Sequence, residues 1–200
     1  MIEDLFRKNR SCRRFFQQQP IPVEVLTDLI NLARLSPSAA NRQPLAYILS
    51  NDPNTNEAIF PCLGWAAYLK NWPGPKPGEQ PAAYIIILGD TRITKQFCPD
   101  DGIAAHSILL GTRDQGLGGC MIASIKKKAL RQVLSIASHY EILLVAALGK
   151  PKESALIETV GEDGDIRYWR DKKGVHHVPK RALTDIVLKV YTQNNKTETG

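Results

Sequence analysis

Two uninterrupted apolar runs, Ala82-Ala83-Tyr84-Ile85-Ile86-Ile87-Leu88 and Ile142-Leu143-Leu144-Val145-Ala146-Ala147-Leu148, constrain this chain more than any other feature. Each has the length of a strand and is followed by a glycine, so each reads as a strand kept from water on both faces. The two together predict the centre of a sheet. The remaining segments have to cover it.

Helical spacing supplies the cover. Ile2, Leu5 and Phe6 predict a short first helix. Pro22 opens a second, in which Leu26, Leu29, Ile30 and Ala33 share one face. Residues 45–50 read as a strand. Residues 101–115 read as a helix with Ile103, Ala104, Ala105, Ile108, Leu109 and Leu110 almost all the way round, which predicts a buried helix whose small residues admit a close neighbour. The stretch Gly116-Leu117-Gly118-Gly119-Cys120-Met121-Ile122-Ala123-Ser124 ends it and passes into an extended segment, and 128–134 read as a further helix. Leu183, Ile186, Val187 and Val190 predict a helix over 181–191, ahead of a polar, frayed tail at 192–200. Residues 61–81 form an excursion holding Trp65, Tyr68 and Trp72 and the breakers Pro73-Gly74-Pro75-Lys76-Pro77-Gly78, either a lid or an irregular surface loop.

Strands and helices do not follow a β-α-β cadence, and no G-x-G-x-x-G turn links a strand to a helix, so a dinucleotide-binding Rossmann domain is excluded. An α+β sandwich with helices over a central sheet is the expected fold. Two hundred residues, 43% of them hydrophobic, suit one domain over 1–191. No apolar stretch approaches membrane-spanning length, and the first residues carry acids in place of a signal-peptide apolar region, so a cytoplasmic protein without a membrane partner is expected. Cys12, Cys62, Cys98 and Cys120 are too irregularly spaced for a zinc site or a disulfide framework and are expected to be reduced thiols. The net charge of +6 permits a basic module for nucleic acid or acidic partners, but the basic residues are scattered, and Lys126-Lys127-Lys128 reads as a solvated face.

Candidate chemistry begins at the end of the second helix. Pro37 disfavours helical geometry at Ser36, so Ser38, Asn41 and Gln43 fall on a loop that presents uncharged hydrogen-bonding groups before Pro44. Such a corner suits a flat, polar-edged ligand or is an ordinary connection. Two basic clusters, Arg10-Ser11-Cys12-Arg13-Arg14 and Lys180-Arg181, suit a phosphate or plain surface charge. No nucleophilic triad, zinc-protease or phosphate-loop motif is present. His106 reads as a core histidine, and His176 and His177 as solvated loop residues. Binding groups without a reagent are the pattern of a cofactor enzyme, in which the cofactor carries the chemistry.

Here the chain resembles the nitroreductase-like family of FMN-dependent oxidoreductases. R-S-C-R-R-F at 10–15 is similar to the family's R-S-x-R-x-F, and P-S-A-A-N-R-Q-P at 37–44 to its P-S-x-x-N-x-Q-P. D-G-I-A-A-H-S-I-L-L at 101–110 with G-L-G-G-C-M-I at 116–122 resembles its central helix and glycine-rich segment. G-K-P at 149–151 and K-R-A-L-T-D-I at 180–186 match the closing pattern.

The resemblance implies a three-layer α/β/α sandwich with a mainly antiparallel sheet and a domain-entwined homodimer with FMN at the subunit interface. It also implies NAD(P)H as reductant and a small planar acceptor such as a nitroaromatic, quinone or enone. Relatives with dehydrogenase, dehalogenase or flavin-fragmenting chemistry are the alternative. By motif, Arg10, Ser11 and Arg13 hold the phosphate, ribityl chain and pyrimidine edge. Pro37, Ser38, Ala39, Asn41 and Gln43 contact the flavin largely from the other subunit. Met121, Ile122, Ala123 and Ser124 line one flavin edge with a backbone N–H near N5, and Lys180 with Arg181 grips the phosphate. Asn9 stands where the family often has an arginine, which costs one phosphate contact or leaves it to Arg14 or Lys180. The excursion matches no family motif; Trp65, Tyr68 and Trp72 either cover the open flavin face as an acceptor pocket or pack in the core or dimer seam.

Overall fold

A computed structural model describes residues 2–69 and 71–192, and the chain divides into two compact units, 1–155 and 156 onward. The tail expected at 192–200 lies, beyond Thr192, outside the described residues.

The first unit is built on an antiparallel sheet in the order β1-β2-β4-β3, comprising β1 (Leu45–Ser50), β2 (Ala83–Asp90), β3 (Gly118–Ile122) and β4 (Tyr140–Gly149). The two apolar runs are its central strands, with Ile85 opposite Ala146 and Ile86 opposite Val145. Alternation along β2 explains why the runs are continuous. Ile85 and Ile87 pack with Leu26, Leu29, Ala105 and Ile108 of α2 (Val23–Leu35) and α4 (Asp100–Asp114). Tyr84, Ile86 and Leu88 pack on the other face with Ile59 of α3 (Pro53–Ile59) and Leu130 of α5 (Lys127–Val133). Helices therefore lie on both sides of the sheet, giving the three-layer α+β sandwich. Gly111 sets the α2–α4 approach, because a Cβ there would run into Leu32 and Leu29.

Four expectations need correction. Helix α4 is not enclosed on all sides: Gly102 and His106 are exposed, Ile103 and Leu110 half-buried. His106 is therefore no core histidine; its ring lies 5.3 Å from that of Phe6 on α1 (Ile2–Lys8). The helix expected over 181–191 is reduced to α6 (Leu183–Ile186), with Leu188 94% and Tyr191 82% exposed. An apolar stripe left about half or more exposed supplies little packing to extend so short a helix.

The second unit carries a three-stranded sheet, β5-β7-β6, comprising β5 (Ala155–Thr159), β6 (Trp169–Arg170) and β7 (His176–Lys180). His176 and His177 are thus strand residues, not solvated loop residues; His176 is buried, and His177 stacks on Trp169 at 4.0 Å between Glu158 and Asp171. The carboxylates are far from any motif spacing and become companions only through strand pairing. Among the described residues no helix is long and apolar enough to cross a membrane.

Candidate functional site

The loop after α2 turns as its prolines dictate. Ser36 is extended, at φ −74° and ψ 155°, and its hydroxyl reaches back to the Leu32 carbonyl at 2.9 Å and across to the Ser107 hydroxyl at 2.7 Å. Beyond it Ala40, Asn41 and Gln43 all adopt left-handed backbone, with φ of 52°, 52° and 50°. Each costs about 1 kcal/mol in a residue with a side chain, so something has to hold them. Asp100, the first residue of α4 and 4% exposed, does so. It accepts the Ser38 hydroxyl at 2.5 Å and the Ala39 N–H at 2.9 Å, while the Ser38 oxygen accepts the Gln43 N–H at 2.9 Å. Hydrogen bonds to a charged acceptor contribute about 1.5–3 kcal/mol each, enough to offset the strain. Gln43 Nε2 in turn donates to Asn41 Oδ1 at 3.2 Å. The exposed pair keeps the Asn41 amide N–H groups and the Gln43 amide oxygen for a ligand, a donor and an acceptor side by side that match the edge of an imide ring. Pro37 and Ala39 are exposed beside them. Sequence reading missed Asp100, whose only signal is the acidic doublet that opens α4.

Behind the corner is a cleft of about 170 Å³ lined by Ser36, Ser38, Gln43, Tyr47 and Asp100 among others. Burial, then the charge of Asp100, pushes the Tyr47 phenol up to about 12.

The arginine segment is stitched to the opposite edge of the sheet. The Cys12 N–H donates to the Gly119 carbonyl at 2.9 Å, Phe16 N–H to Lys150 and Lys152 N–H to Arg14. This brings R-S-C-R-R-F, the glycine-rich segment and G-K-P together. Gly118 permits the approach, since a Cβ there would lie 2.8 Å from Pro151 and 3.2 Å from Cys12. Arg10 is half-buried; its Nη2 donates to the Phe6 carbonyl at 2.9 Å, but its Nε is buried with no hydrogen-bond partner among the described residues, and burial lowers its pKa. Ser11 is exposed beside it. The Arg13 N–H donates to Glu153 at 2.6 Å. Arg14 cannot take over the contact that Asn9 lacks: its guanidinium holds both oxygens of buried Glu79 at 2.8 Å, with Lys152 at 3.2 Å. Its sequence neighbours gave no sign of this, because Glu79 is contributed by the excursion.

Met121 at the end of β3 is exposed, as are Ala123 and Ser124, whereas Ile122 points into the core with Ile59 and Leu130. Any contact of Ile122 with a ligand therefore runs through its backbone. The excursion starts against this segment: the Gly64 N–H donates to the Ser124 carbonyl at 2.8 Å, and Leu63 pairs with Ile125. Trp65 is half-buried, stacked on Phe60 at 5.5 Å and packed against the core, with its indole N–H buried and without a hydrogen-bond partner among the described residues. Tyr68 is exposed and Trp72 half-buried.

One chain does not bring the corner and the arginine segment together. The corner leads into Leu45, level with Gly89 and Glu141, while Cys12 lies beside Gly119, next to the Gly118–Gly149 pair. Three strand intervals across the sheet and eight residues along β4 place them roughly 30 Å apart. Lys180 and Arg181 belong to the second unit, where Arg181 donates to the Asp185 carbonyl.

The donor set suits a flavin nucleotide: an unpaired buried guanidinium N–H and a serine for a phosphate, and an amide pair for an imide edge. Comparison with known proteins agrees in fold. The model of the nitroreductase family matches residues 6–150. A relative from Archaeoglobus fulgidus, provisionally named NADH dehydrogenase/NAD(P)H nitroreductase, is 26% identical over 148 residues, covering 70% of this chain and 80% of its own. An iodotyrosine deiodinase from Thermotoga neapolitana is 21% identical over 168 residues, covering 76% and 90%. The structure of an FMN-dependent nitroreductase from Clostridium difficile superposes with a TM-score of 0.65 at 22% identity, over 97% of this chain and 99% of that one.

Proposed function

The chain belongs to the nitroreductase family, and from that premise we propose that it is a cytoplasmic FMN-dependent oxidoreductase. It takes hydride from NAD(P)H and delivers it to a small planar acceptor such as a nitroaromatic, quinone or enone. It works as a homodimer, its residues 1–191 serving as one FMN-binding domain. The observation that carries this reading is the separation of two complementary half-sites: a corner of amides at the β1 edge and an arginine segment with an unpaired buried N–H at the β3 edge. A cleft of about 170 Å³ is also smaller than the pockets of about 300–1,000 Å³ that enclose small ligands. Two copies, each lending its corner to the other, complete two sites.

In this reading Arg10, Ser11 and Arg13 hold the phosphate, the ribityl chain and the pyrimidine edge. Asn41 and Gln43 of the partner pair with the ring, and Pro37, Ser38 and Ala39 shape the surface under it. The backbone of 121–124 would line the flavin edge at N5, and the assignment of Lys180 and Arg181 to the phosphate follows the family resemblance. When bound, FMN supplies the two-electron redox chemistry, alternating between reductant and acceptor. The guanidinium of Arg13 favours negative charge on the reduced pyrimidine. Tyr68, Trp72 and the uncovered side of Trp65 border the space for the acceptor; stacking donor and acceptor in turn over one face needs no protein acid.

Purified protein tests the reading directly. It is expected to be yellow and to release FMN on denaturation; a colourless preparation that also refuses added FMN overturns it. Steady-state rates with NADH and with NADPH then identify the reductant. A form held monomeric is expected to lose its flavin with every arginine intact. The similarity to an iodotyrosine deiodinase favours reductive dehalogenation as the second reading, and turnover of an iodophenol in preference to a nitroaromatic would select it.

A further inference from the structure

Resting on the FMN reading above, we propose that Asp100 is a positioning residue for the cofactor, acting through Ser38 to set the two amides that meet the partner's flavin. Asp100 touches neither amide itself. It is buried at the start of α4, where the helix dipole favours a carboxylate, and both its oxygens are engaged by the corner. A carboxylate only accepts, so the Ser38 hydroxyl must direct its proton to Asp100. That leaves the oxygen lone pairs of Ser38 facing the Gln43 N–H, which binds there at 2.9 Å. Gln43 is thereby fixed in left-handed backbone at φ 50°, and its side chain orients the Asn41 amide through the 3.2 Å bond to Oδ1.

The relay thus runs from a buried charge to two exposed amides: Asp100, Ser38, Gln43, Asn41. Without it the loop is next held only at buried Pro44, whose carbonyl accepts the Asp90 N–H at 2.8 Å, and Gln43 itself keeps no described hydrogen bond outside the loop, so the amides lose the register that lets one donate where the other accepts. The relay fixes direction as well as position. An asparagine at 100 keeps an acceptor for Ala39, but its amide nitrogen donates to the Ser38 oxygen and releases the hydroxyl proton, so that oxygen is shared between two donors and holds the Gln43 N–H less firmly. The size of the side chain is kept while the charge that anchors the relay is removed.

The test is FMN titration of the dimeric protein, followed by quenching of flavin fluorescence and by the visible circular dichroism of the bound ring. Asp100→Asn is expected to melt within a few degrees of the parent and to bind FMN about tenfold more weakly, with an altered visible dichroism; Asp100→Ala is expected to bind more weakly still. A merely structural residue would move the melting temperature and leave the dichroism of the remaining bound flavin unchanged. Affinity within twofold of the parent and an unchanged dichroism in Asp100→Asn overturn the positioning role alone. A parent that binds no FMN overturns the FMN reading and this proposal with it. Should Asp100→Asn fail to fold, Asp100→Glu, which keeps the charge and shifts it by one methylene, carries the same expectation of weaker binding and altered dichroism.

Discussion

Replacing Glu79 by glutamine tests how the excursion is fastened to the arginine segment. Glu79 is 5% exposed, receives both nitrogens of the Arg14 fork at 2.8 Å and lies 3.2 Å from Lys152. Its carboxyl, ordinarily near 4.5, is held at about 2, first by the Arg14 hydrogen bonds and then by Lys152, with burial working against them. A fall of that size corresponds to about 3.4 kcal/mol at neutral pH. Arg14 and Lys152 are 26% and 37% exposed, so water screens part of the attraction, and about 2 kcal/mol is expected. Because the folded value is depressed, this stability is fully present above pH 4.5 and is lost as pH falls toward 2. Urea unfolding at one protein concentration and cofactor content is expected to show Glu79→Gln about 2 kcal/mol less stable than the parent at pH 7, and about 1 kcal/mol less stable at pH 3. Equal stability at pH 7, or a gap that stays constant down to pH 3, would refute the account.

Arg13→Ala and Arg181→Ala are each expected to weaken FMN retention at least tenfold, whereas Lys127→Ala, whose charge faces the exposed Glu141 at 3.6 Å, leaves occupancy unchanged; unaltered flavin content in both arginine variants removes the assignment of these two residues to the cofactor. Gly119→Ala places a methyl 2.6 Å from Leu148 and 2.8 Å from the Ala147 carbonyl and is expected to cost about 1–3 kcal/mol in denaturant unfolding. Gly102→Ala meets nothing within 4 Å on the exposed side of α4 and is expected to add about 0.5–1 kcal/mol. The hydrogen bond to Glu158, then that to Asp171, raises the pKa of His177 above 6.5, so its attraction to them is complete below that pH and lost as pH rises through the higher folded value. The imidazolium stacked on Trp169 should quench its fluorescence, and a recovery with midpoint above pH 6.5 that disappears in His177→Gln is the expected signature; the same curve in both proteins contradicts it.

What the sequence determined by itself is whatever depends on neighbours along the chain. The double-sided burial of 82–88 and 142–148, the stop at Ser36-Pro37 and the face of α2 follow from local periodicity and from proline's fixed geometry, and the motif order pointed to the family. What only the tertiary structure decided depends on residues far apart in sequence. Arg14 looked available for a phosphate until Glu79 arrived from the excursion to claim it. His176 and His177 looked solvated until β5 and β6 paired around them. Asp100 had no visible role until α4 brought it under a loop 60 residues earlier. The helix expected over 181–191 shows the reverse: its spacing was real, but an amphipathic stripe folds only against a surface that buries it. The candidate site divides in the same way. Its residue types were legible in the chain, but their placement on opposite edges of one sheet, the main structural support for a shared site, came from strand order alone, which no local pattern encodes.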